Sequence, residues 1–143
     1  MQVNVLQLQF EKKVSEASLR MTTTRRGIFD ILSKAERPLE ITEIVTRLPG
    51  VHFVSVYRSV DALRRAGLIK QLPYGFKNRF ELSDAFLPHH HHATCDVCGT
   101  VYEINNGKIE QALRSVTNEV GFTSSRHHFE IYGTCRTCSK SAQ

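Results

Sequence analysis

The stretch His89-His90-His91-His92-Ala93-Thr94-Cys95-Asp96-Val97-Cys98-Gly99 decides the fold of the second part of this 143-residue chain. Its Cys-x-x-Cys pair is followed by another one, Cys135 and Cys138. Thiolates at this spacing fit one tetrahedral ion, and four of them select zinc and leave no open position for a substrate. The cysteines therefore predict a structural Zn²⁺ site, with a redox dithiol pair or an iron–sulfur cluster as the alternatives.

The four consecutive histidines form a further set of candidate ligands. In an extended segment alternate side chains point to opposite sides, so His89 and His91 share one side and His90 and His92 share the other. One short strand can therefore serve two metal sites, although a solvated polar loop is the simpler alternative. The remaining ligands would come from Glu81, Glu103, Glu110, and His127 or His128.

The rest of this part reads as short strands around one helix. A helix that ends at Gly121 is predicted by apolar residues at helical spacing, which are Ile109, Leu113, Val116 and Val120. The predicted strands cover residues 92–94, 100–104, 122–123 and 126–132. On the last strand His127 shares its side with Phe129 and Ile131, so a hydrogen-bonded core histidine is the alternative to a metal ligand.

The first part of the chain reads as helices followed by a hairpin. Thr22-Thr23-Thr24 offers N-cap hydroxyls to one helix, Pro49-Gly50 closes a short one, and Gly67 ends the longest. The predicted helices cover an amphipathic segment over 6–19 and residues 22–32, 41–48 and 53–66. Strands at 68–71 and 79–82 follow, around a turn at Tyr74-Gly75. Three helices and a hairpin in this order predict a winged helix-turn-helix.

The predicted helix over 53–66 has two different sides. Its apolar residues Val56, Val60 and Leu63 fall within one narrow arc, which must be buried. Arg58 lies opposite, flanked by Tyr57 and Ser55. Arginine reaches phosphates or guanine edges, and tyrosine offers a ring and a hydroxyl to DNA. A packed ring and an ordinary surface charge are the alternative interpretation.

Positive charge is confined to the first part of the chain. Residues 1–88 hold 14 Lys and Arg against 9 Asp and Glu, whereas residues 89–143 hold 5 against 5. A basic module joined to a neutral, metal-rich module indicates a polyanion reader coupled to a sensor or scaffold, and a solvated basic face is the alternative. Because no stretch approaches the roughly 20 apolar residues of a membrane span, and Met1 to Lys13 lacks the apolar region of a signal peptide, we expect a cytoplasmic protein without a membrane partner.

Residues 84–88 break the strand pattern and end in Pro88, so they are the predicted hinge. The sequence therefore predicts an α+β chain in three parts. An N-terminal winged helix-turn-helix DNA-binding domain covers residues 1–83, the hinge covers 84–88, and a small C-terminal α/β domain with a four-cysteine zinc site covers 89–143.

In combination these stretches resemble the ferric uptake regulator (Fur) family of bacterial metal-sensing repressors. The resemblance spans about Leu19 to Cys138, and the ordered combination of motifs is specific, whereas the Tyr-Arg dipeptide alone is weak. The motifs that carry it are Leu19-Arg20-Met21-Thr22-Thr23-Thr24-Arg25, Ser55-Val56-Tyr57-Arg58, Ala66-Gly67-Leu68, Arg79-Phe80-Glu81-Leu82, the block from His89 to Gly99, and the block from Ile131 to Cys138.

The resemblance implies a homodimer whose winged helices bind an AT-rich inverted repeat of double-stranded DNA and whose C-terminal domains dimerise and hold metal. The expected DNA-binding residues are Arg20, which matches a residue reaching the minor groove, Ser55, Tyr57 and Arg58. The structural zinc ligands are Cys95, Cys98, Cys135 and Cys138. A further site of the C-terminal domain is formed by His89, His91, Glu110 and His127. An inter-domain sensory site is formed by Glu81, His90, His92 and Glu103.

The implied function is a repressor of metal uptake genes that senses iron(II), with a zinc-responsive repressor and a peroxide sensor of the same family as alternatives. Three features depart from the family pattern: Pro38 stands about where many relatives have a histidine, the stretch from Glu81 to the histidines is about two residues longer than usual, and His91 replaces a common aspartate. The nitrogen-rich donors are compatible with iron, zinc, manganese or nickel. A metal hydrolase and a zinc-ribbon interaction or metal-buffer protein are the alternatives from other classes.

Overall fold

Over the described residues 5–88, the N-terminal unit of the protein consists of four helices and a three-stranded antiparallel sheet. The computed structural model describes residues 5–141, so the first four residues of the predicted DNA-binding domain and the last two of the predicted C-terminal domain lie outside the described residues. The chain divides into one unit over Met1–Pro88 and another over His89–Gln143. The elements of the first unit are α1 (Val5–Glu16), α2 (Thr23–Ser33), β1 (Leu39–Glu40), α3 (Ile41–Thr46), α4 (Phe53–Arg65), β2 (Ile69–Tyr74) and β3 (Lys77–Leu82).

Local signals in the sequence set the helix ends of this unit. The Thr22 hydroxyl accepts a hydrogen bond from the backbone N–H of Arg25 at 3.2 Å, which satisfies one of the free donors at the start of α2. Gly67 ends α4 with a φ of +71°, a left-handed conformation that favours glycine. The core then forms from the apolar faces of the helices and the sheet, with the Phe10 and Phe29 rings stacked at 4.2 Å between centroids.

The hairpin β2–β3 forms the wing. The sheet has the order β1-β3-β2, and the short β1, which the sequence did not predict, pairs Leu39 with Phe80. Tyr74 pairs with Lys77 across a two-residue turn, where Gly75 has a φ of +56° and Phe76 is fully exposed. The wing therefore presents an aromatic ring at its tip.

Residues 84–88, the predicted hinge, pack against the N-terminal core. The Phe86 ring meets the Phe29 ring edge-on at 5.6 Å between centroids, and the Gln9 side-chain amide donates to the carbonyl oxygen of Ala85 at 3.1 Å. Asp84 forms an ion pair with Lys70. The segment is thus part of the first unit, and its role as a hinge stays a prediction.

From residue 89 to residue 141, the C-terminal unit is a three-stranded sheet with two helices. Its elements are β4 (His91–Cys95), β5 (Val101–Ile104), α5 (Gly107–Glu119), β6 (Glu130–Gly133) and α6 (Arg136–Ser141). The strand order is β5-β4-β6, with β5 antiparallel and β6 parallel to β4. The predicted α+β fold class, a winged helical domain followed by a small α/β domain with a cluster of four cysteines, is confirmed.

The last strand is shorter than the sequence predicted. We expected strands at 122–123 and 126–132, but β6 begins only at Glu130, which lies opposite His92 in the parallel register. Continuing this register would place residues 126–128 opposite residues 88–90, which precede the start of β4 at His91 and belong to no strand. The strand therefore begins where β4 can offer partners, and the parity argument for His127 on a strand does not apply.

The predicted helix that carries the apolar stripe is α5, and within the described residues 5–141 of this single chain α5 has no buried residue. Val116 is 61% exposed and Val120 is 77% exposed, whereas Ile109 and Leu113 are half-buried. Isolated exposed apolar side chains are ordinary, but a stripe at helical spacing marks a surface for another molecule. In the part of the chain that the structure describes, no helix is long and apolar enough to cross a membrane.

Candidate metal centres and DNA-facing surface

The four cysteines converge because β4 and α6 bring two tight backbone turns together. Gly99, with a φ of +73°, lets the chain reverse after Cys98, and its N–H donates to the Cys95 carbonyl oxygen at 2.8 Å. Asp96 N–H donates to the Gly133 carbonyl oxygen at 2.8 Å, which joins this turn to the end of β6. The four cysteine Sγ atoms all lie within 4.8 Å of one another.

This geometry fits a tetrahedral ion. The Cys98 and Cys135 sulfurs are 3.9 Å apart, close to the edge of about 3.8 Å that Zn–S bonds of about 2.3 Å produce. Backbone N–H groups, first that of Cys135 and then that of Cys98, lower the pKa of the Cys95 thiol to about 6. The hydrogen bond with the Cys135 sulfur, as its largest cause, raises the pKa of the Cys138 thiol to about 12. A cation would have to displace that proton, as zinc does on binding thiols.

A second cluster joins three imidazoles and one carboxylate within the C-terminal unit. The ligand atoms of His89, His91, Glu110 and His127 all lie within 4.8 Å of one another. Glu110 Oε1 is 2.7 Å from His91 Nε2 and 3.2 Å from His127 Nε2, and the Nε2 atoms of His89 and His127 are 2.9 Å apart. The His91 side chain is buried, whereas the other three are partly exposed. Three nitrogens and one oxygen form a donor set that suits zinc, iron, manganese or nickel.

The start of α5 places Glu110 in this cluster. Asn106 caps the helix by accepting the Lys108 N–H at 2.9 Å, so Glu110 falls in the first turn. The hydrogen bond to His91, followed by the charges of His127 and His89, holds the pKa of Glu110 below its usual value. The carboxyl group is therefore ionised near neutral pH and available as an anionic ligand.

Changing Glu110 to Gln keeps the size of the side chain and removes its charge. We expect the affinity of this cluster for a divalent ion to fall by at least about 100-fold, since even changes one shell further out commonly cost about 10- to 100-fold. Competition with a chromogenic chelator measures it. Glu119→Gln, at the exposed end of the same helix, is the matched control. Unchanged affinity in E110Q would remove Glu110 from the ligand set.

His90 and His92, the other two of the four consecutive histidines, lie on the side opposite to His89 and His91. The rings of His90 and His92 meet edge-on at 4.8 Å between centroids. His92 Nδ1 is 3.2 Å from Glu130 Oε1, and His128 Nε2 is 3.9 Å from the same oxygen. Glu130 was not among the residues predicted from the sequence, because its position depends on the parallel pairing of β6 with β4. A carboxylate bound to one ring nitrogen directs the other toward a ligand.

The residues predicted for the inter-domain site lie in both units. Glu81 is buried on β3 of the first unit. His90 and His92 are buried in the second unit, where Glu103 is the exposed β5 partner of His92. Their joint role as one site stays a prediction.

The helix α4 presents a polar and aromatic surface at its start. Ser55, Tyr57 and Arg58 are exposed, whereas the opposite side, including Val56 and Leu63, packs into the core. Asp61 pairs with Arg64 and Arg65 at 2.8 Å, which leaves its charge engaged within the helix. A base-reading helix needs this arrangement, because its apolar side fixes the axis and its outer side meets the groove.

The wing and α4 border one cleft of the N-terminal unit. This cleft of about 280 Å³ is lined by Tyr57 and Arg64 from α4 and by Lys77 and Asn78 from β3, among others. Arg20, the remaining predicted DNA contact, is exposed in the segment before α2, where its carbonyl oxygen accepts from the Arg25 guanidinium. The helix and the wing therefore present basic groups around one opening.

The first unit is a winged helix that exposes basic residues on α4. The second unit carries one cluster of four cysteines and one cluster of histidines with a carboxylate. Together they define the class of metal-responsive transcription regulators. Residues 16–132 match the family described as the Ferric uptake regulator family. The chain belongs to this family, which confirms the resemblance inferred from its residues. It is accordingly a transcription regulator and not an enzyme.

Known proteins of this family resemble the chain along most of its length. It is 30% identical to the peroxide operon regulator of Bacillus subtilis, over 89% of each chain. It is 29% identical to the ferric uptake regulation protein of Bordetella parapertussis, over 91% of this chain and 96% of that protein. The structure of the Helicobacter pylori ferric uptake regulator Fur, described as having three functional metal-binding sites, superposes with a TM-score of 0.83 at 21% identity, over 97% of each chain. The last likeness concerns the fold alone.

Proposed function

We propose that this protein is an iron(II)-responsive repressor that binds an AT-rich inverted repeat of DNA as a cytoplasmic homodimer and controls genes for metal uptake. The observation that carries the proposal is the cluster of His89, His91, Glu110 and His127, with its ligand atoms within 4.8 Å, in a chain whose α4 exposes Tyr57 and Arg58. Proteins of the family bind DNA as dimers, which supports the proposed partners.

The exposed apolar surface of the C-terminal unit supports the homodimer. Val116 and Val120 on α5, Ile131 and Tyr132 on β6, and Tyr102 on β5 are each at least 39% exposed. Removing such a surface from water contributes about 25 cal/mol for every Å² that is buried. A second copy of the chain offers the same surface, as a twofold interface requires.

The histidine–carboxylate cluster connects three segments of the C-terminal unit. His91 belongs to β4, Glu110 to the first turn of α5, and His127 to the segment before β6. A divalent cation bound there would supply the positive charge that holds three imidazoles and a carboxylate together. The four side chains would then fix α5 against the sheet, and α5 carries the proposed dimer surface.

The coupling between metal and DNA follows from linkage. If the metal-bound form binds the operator more tightly, DNA raises the affinity for metal by the same factor. Couplings of about 1–3 kcal/mol, or roughly 5- to 150-fold, are typical and would switch operator occupancy over a physiological range of free metal. The zinc held by the four cysteines is the structural site in this proposal and does not take part in the switch.

The test is a titration of operator binding with buffered metal. Fluorescence anisotropy would follow the protein, stripped of weakly held metal but retaining its cysteine-bound zinc, on a duplex from its own upstream region under anaerobic conditions. We expect iron(II) at micromolar free concentration to raise affinity roughly 5- to 150-fold. Activation by trace zinc(II) would instead make it a zinc-responsive repressor, and metal-independent binding would contradict the proposal.

A peroxide sensor is the second candidate, because the chain is 30% identical to a peroxide operon regulator. In that case peroxide treatment of the iron(II)-loaded protein would release DNA and add one oxygen atom to a histidine-containing peptide. Mass spectrometry of the digested protein before and after treatment separates the two functions. Unmodified histidines after loss of DNA binding would count against this candidate.

A further inference from the structure

The first two residues of α4 expose apolar surface that neither the metal sites nor the predicted DNA contacts use. Phe53 is 48% exposed and Val54 is 50% exposed, next to Tyr57 at 57%. The Phe53 and Tyr57 rings lie nearly parallel, 25° apart, with 6.4 Å between their centroids. Together these side chains form an apolar patch on the first turns of α4.

The geometry of α4 places this patch on the DNA-facing side. At 100° per residue, Val54 lies on the outer side of α4 between Tyr57 and Arg58, and the half-exposed Phe53 lies at the edge of this side, next to Tyr57. In a helix-turn-helix, the N-terminal residues of the recognition helix contact base edges in the major groove. The patch is thus continuous with the surface proposed to read DNA.

The surroundings of the patch fit a polyanion. The first unit carries the chain's excess of Lys and Arg. Arg58 lies one helical turn after Val54, and the positive end of the helix dipole of α4 lies at the same end, where the N-cap residue His52 provides no side-chain hydrogen bond. Protein–DNA interfaces are much more positively charged than protein–protein interfaces.

An aliphatic side chain and a phenyl ring cannot read a hydrogen-bonding base edge. The apolar group that the major groove presents is the C5-methyl group of thymine. We propose, on the basis of the proposed function, that Phe53 and Val54 are specificity-determining residues that contact thymine methyl groups. The Phe53 ring also holds the Tyr57 ring against the bases.

The experiment removes the methyl groups from the DNA without changing its pairing. A high-affinity duplex is selected from random DNA with the full-length, metal-loaded protein, and each thymidine is replaced in turn by deoxyuridine. We expect two or more positions per half-site at which the wild-type protein binds about fourfold more weakly, the loss expected for one buried methyl group. Anisotropy measures the dissociation constants.

Two substitutions connect these positions to the patch. In Val54→Ala, replacing thymidine by deoxyuridine should no longer weaken binding at one of these positions. In Phe53→Ala the same should hold at another position, because each variant has lost the side chain that contacts the methyl group. Phe53→Leu keeps an apolar contact without the ring and should retain part of the sensitivity. Val5→Ala, on the exposed side of α1, removes the same atoms elsewhere and should behave as wild type.

The outcomes separate this proposal from the proposed function. If the wild-type protein selects a sequence but tolerates deoxyuridine everywhere, the methyl contacts are wrong and the repressor function stands. Sensitivity that persists in Phe53→Ala and Val54→Ala assigns the methyl groups to other residues and also overturns the proposal. A change in sedimentation of these variants, with DNA binding intact, would make the patch a protein contact. Failure to select any sequence would contradict the proposed function itself.

Discussion

Replacing Tyr57 and Arg58 together with alanine is expected to lower the affinity for the operator by about 100-fold or more. A well-placed arginine contributes roughly 1–3 kcal/mol of base discrimination, and loss of the tyrosine ring and hydroxyl adds to this. Both side chains are exposed on α4, so the fold should be unaffected. Anisotropy on the selected duplex and on a scrambled duplex measures the loss of specific binding.

Metal content and a charge-matched variant serve as the controls for this double variant. Arg114→Ala removes the same charge from the exposed surface of α5 and should leave base discrimination unchanged. Tyr57→Phe separates the hydroxyl from the ring. Wild-type affinity in the Tyr57→Ala, Arg58→Ala protein, with normal metal content, would remove α4 as the recognition helix.

Replacing Cys98 with serine is expected to release the tightly held zinc and to unfold the C-terminal unit. The apparent binding free energy of structural zinc is about 10–16 kcal/mol in zinc-finger peptides, which equals or exceeds the total stability of most domains. This unit has little else to hold it, since among the described residues only Cys95, Thr94 and three histidines of its sheet region are buried. Zinc per chain and the far-ultraviolet circular dichroism report the two effects.

A neighbouring position provides the control for the zinc prediction. Thr137 is exposed between Cys135 and Cys138 and offers no thiolate, so Thr137→Ala should keep its zinc and its thermal stability. The N-terminal unit has its own core and should retain helical signal in Cys98→Ser. A Cys98→Ser protein that keeps zinc and melts as wild type would show that three thiolates suffice.

Elements fixed by neighbours in sequence could be predicted well. The start of α2 follows from the Thr22 cap, and the end of α4 follows from Gly67, so both were expected within a residue or two. The Cys-x-x-Cys pairs likewise indicated their cluster through spacing alone. The wing followed from a turn between two apolar strands.

Features fixed by distant pairing could not be predicted. The start of β6 depends on where β4 offers hydrogen-bonding partners, and the approach of Glu130 to His92 depends on the parallel register of these strands. The pattern on α5 reports that one face is apolar, but it does not say which chain covers that face. The sequence therefore predicted the stripe but not that Val116 and Val120 would be exposed in the single chain.

The pleat of β4 has a consequence for how such a protein changes in evolution. His91 faces Glu110 on one side and His92 faces Glu130 on the other, so one strand supplies two different donor sets. Insertion or deletion of a single residue in this strand would exchange both sets at once, and both sites would be lost in one event. A change of two residues would keep each histidine on its own side. Length variation before Cys95 is therefore expected to survive selection in steps of two.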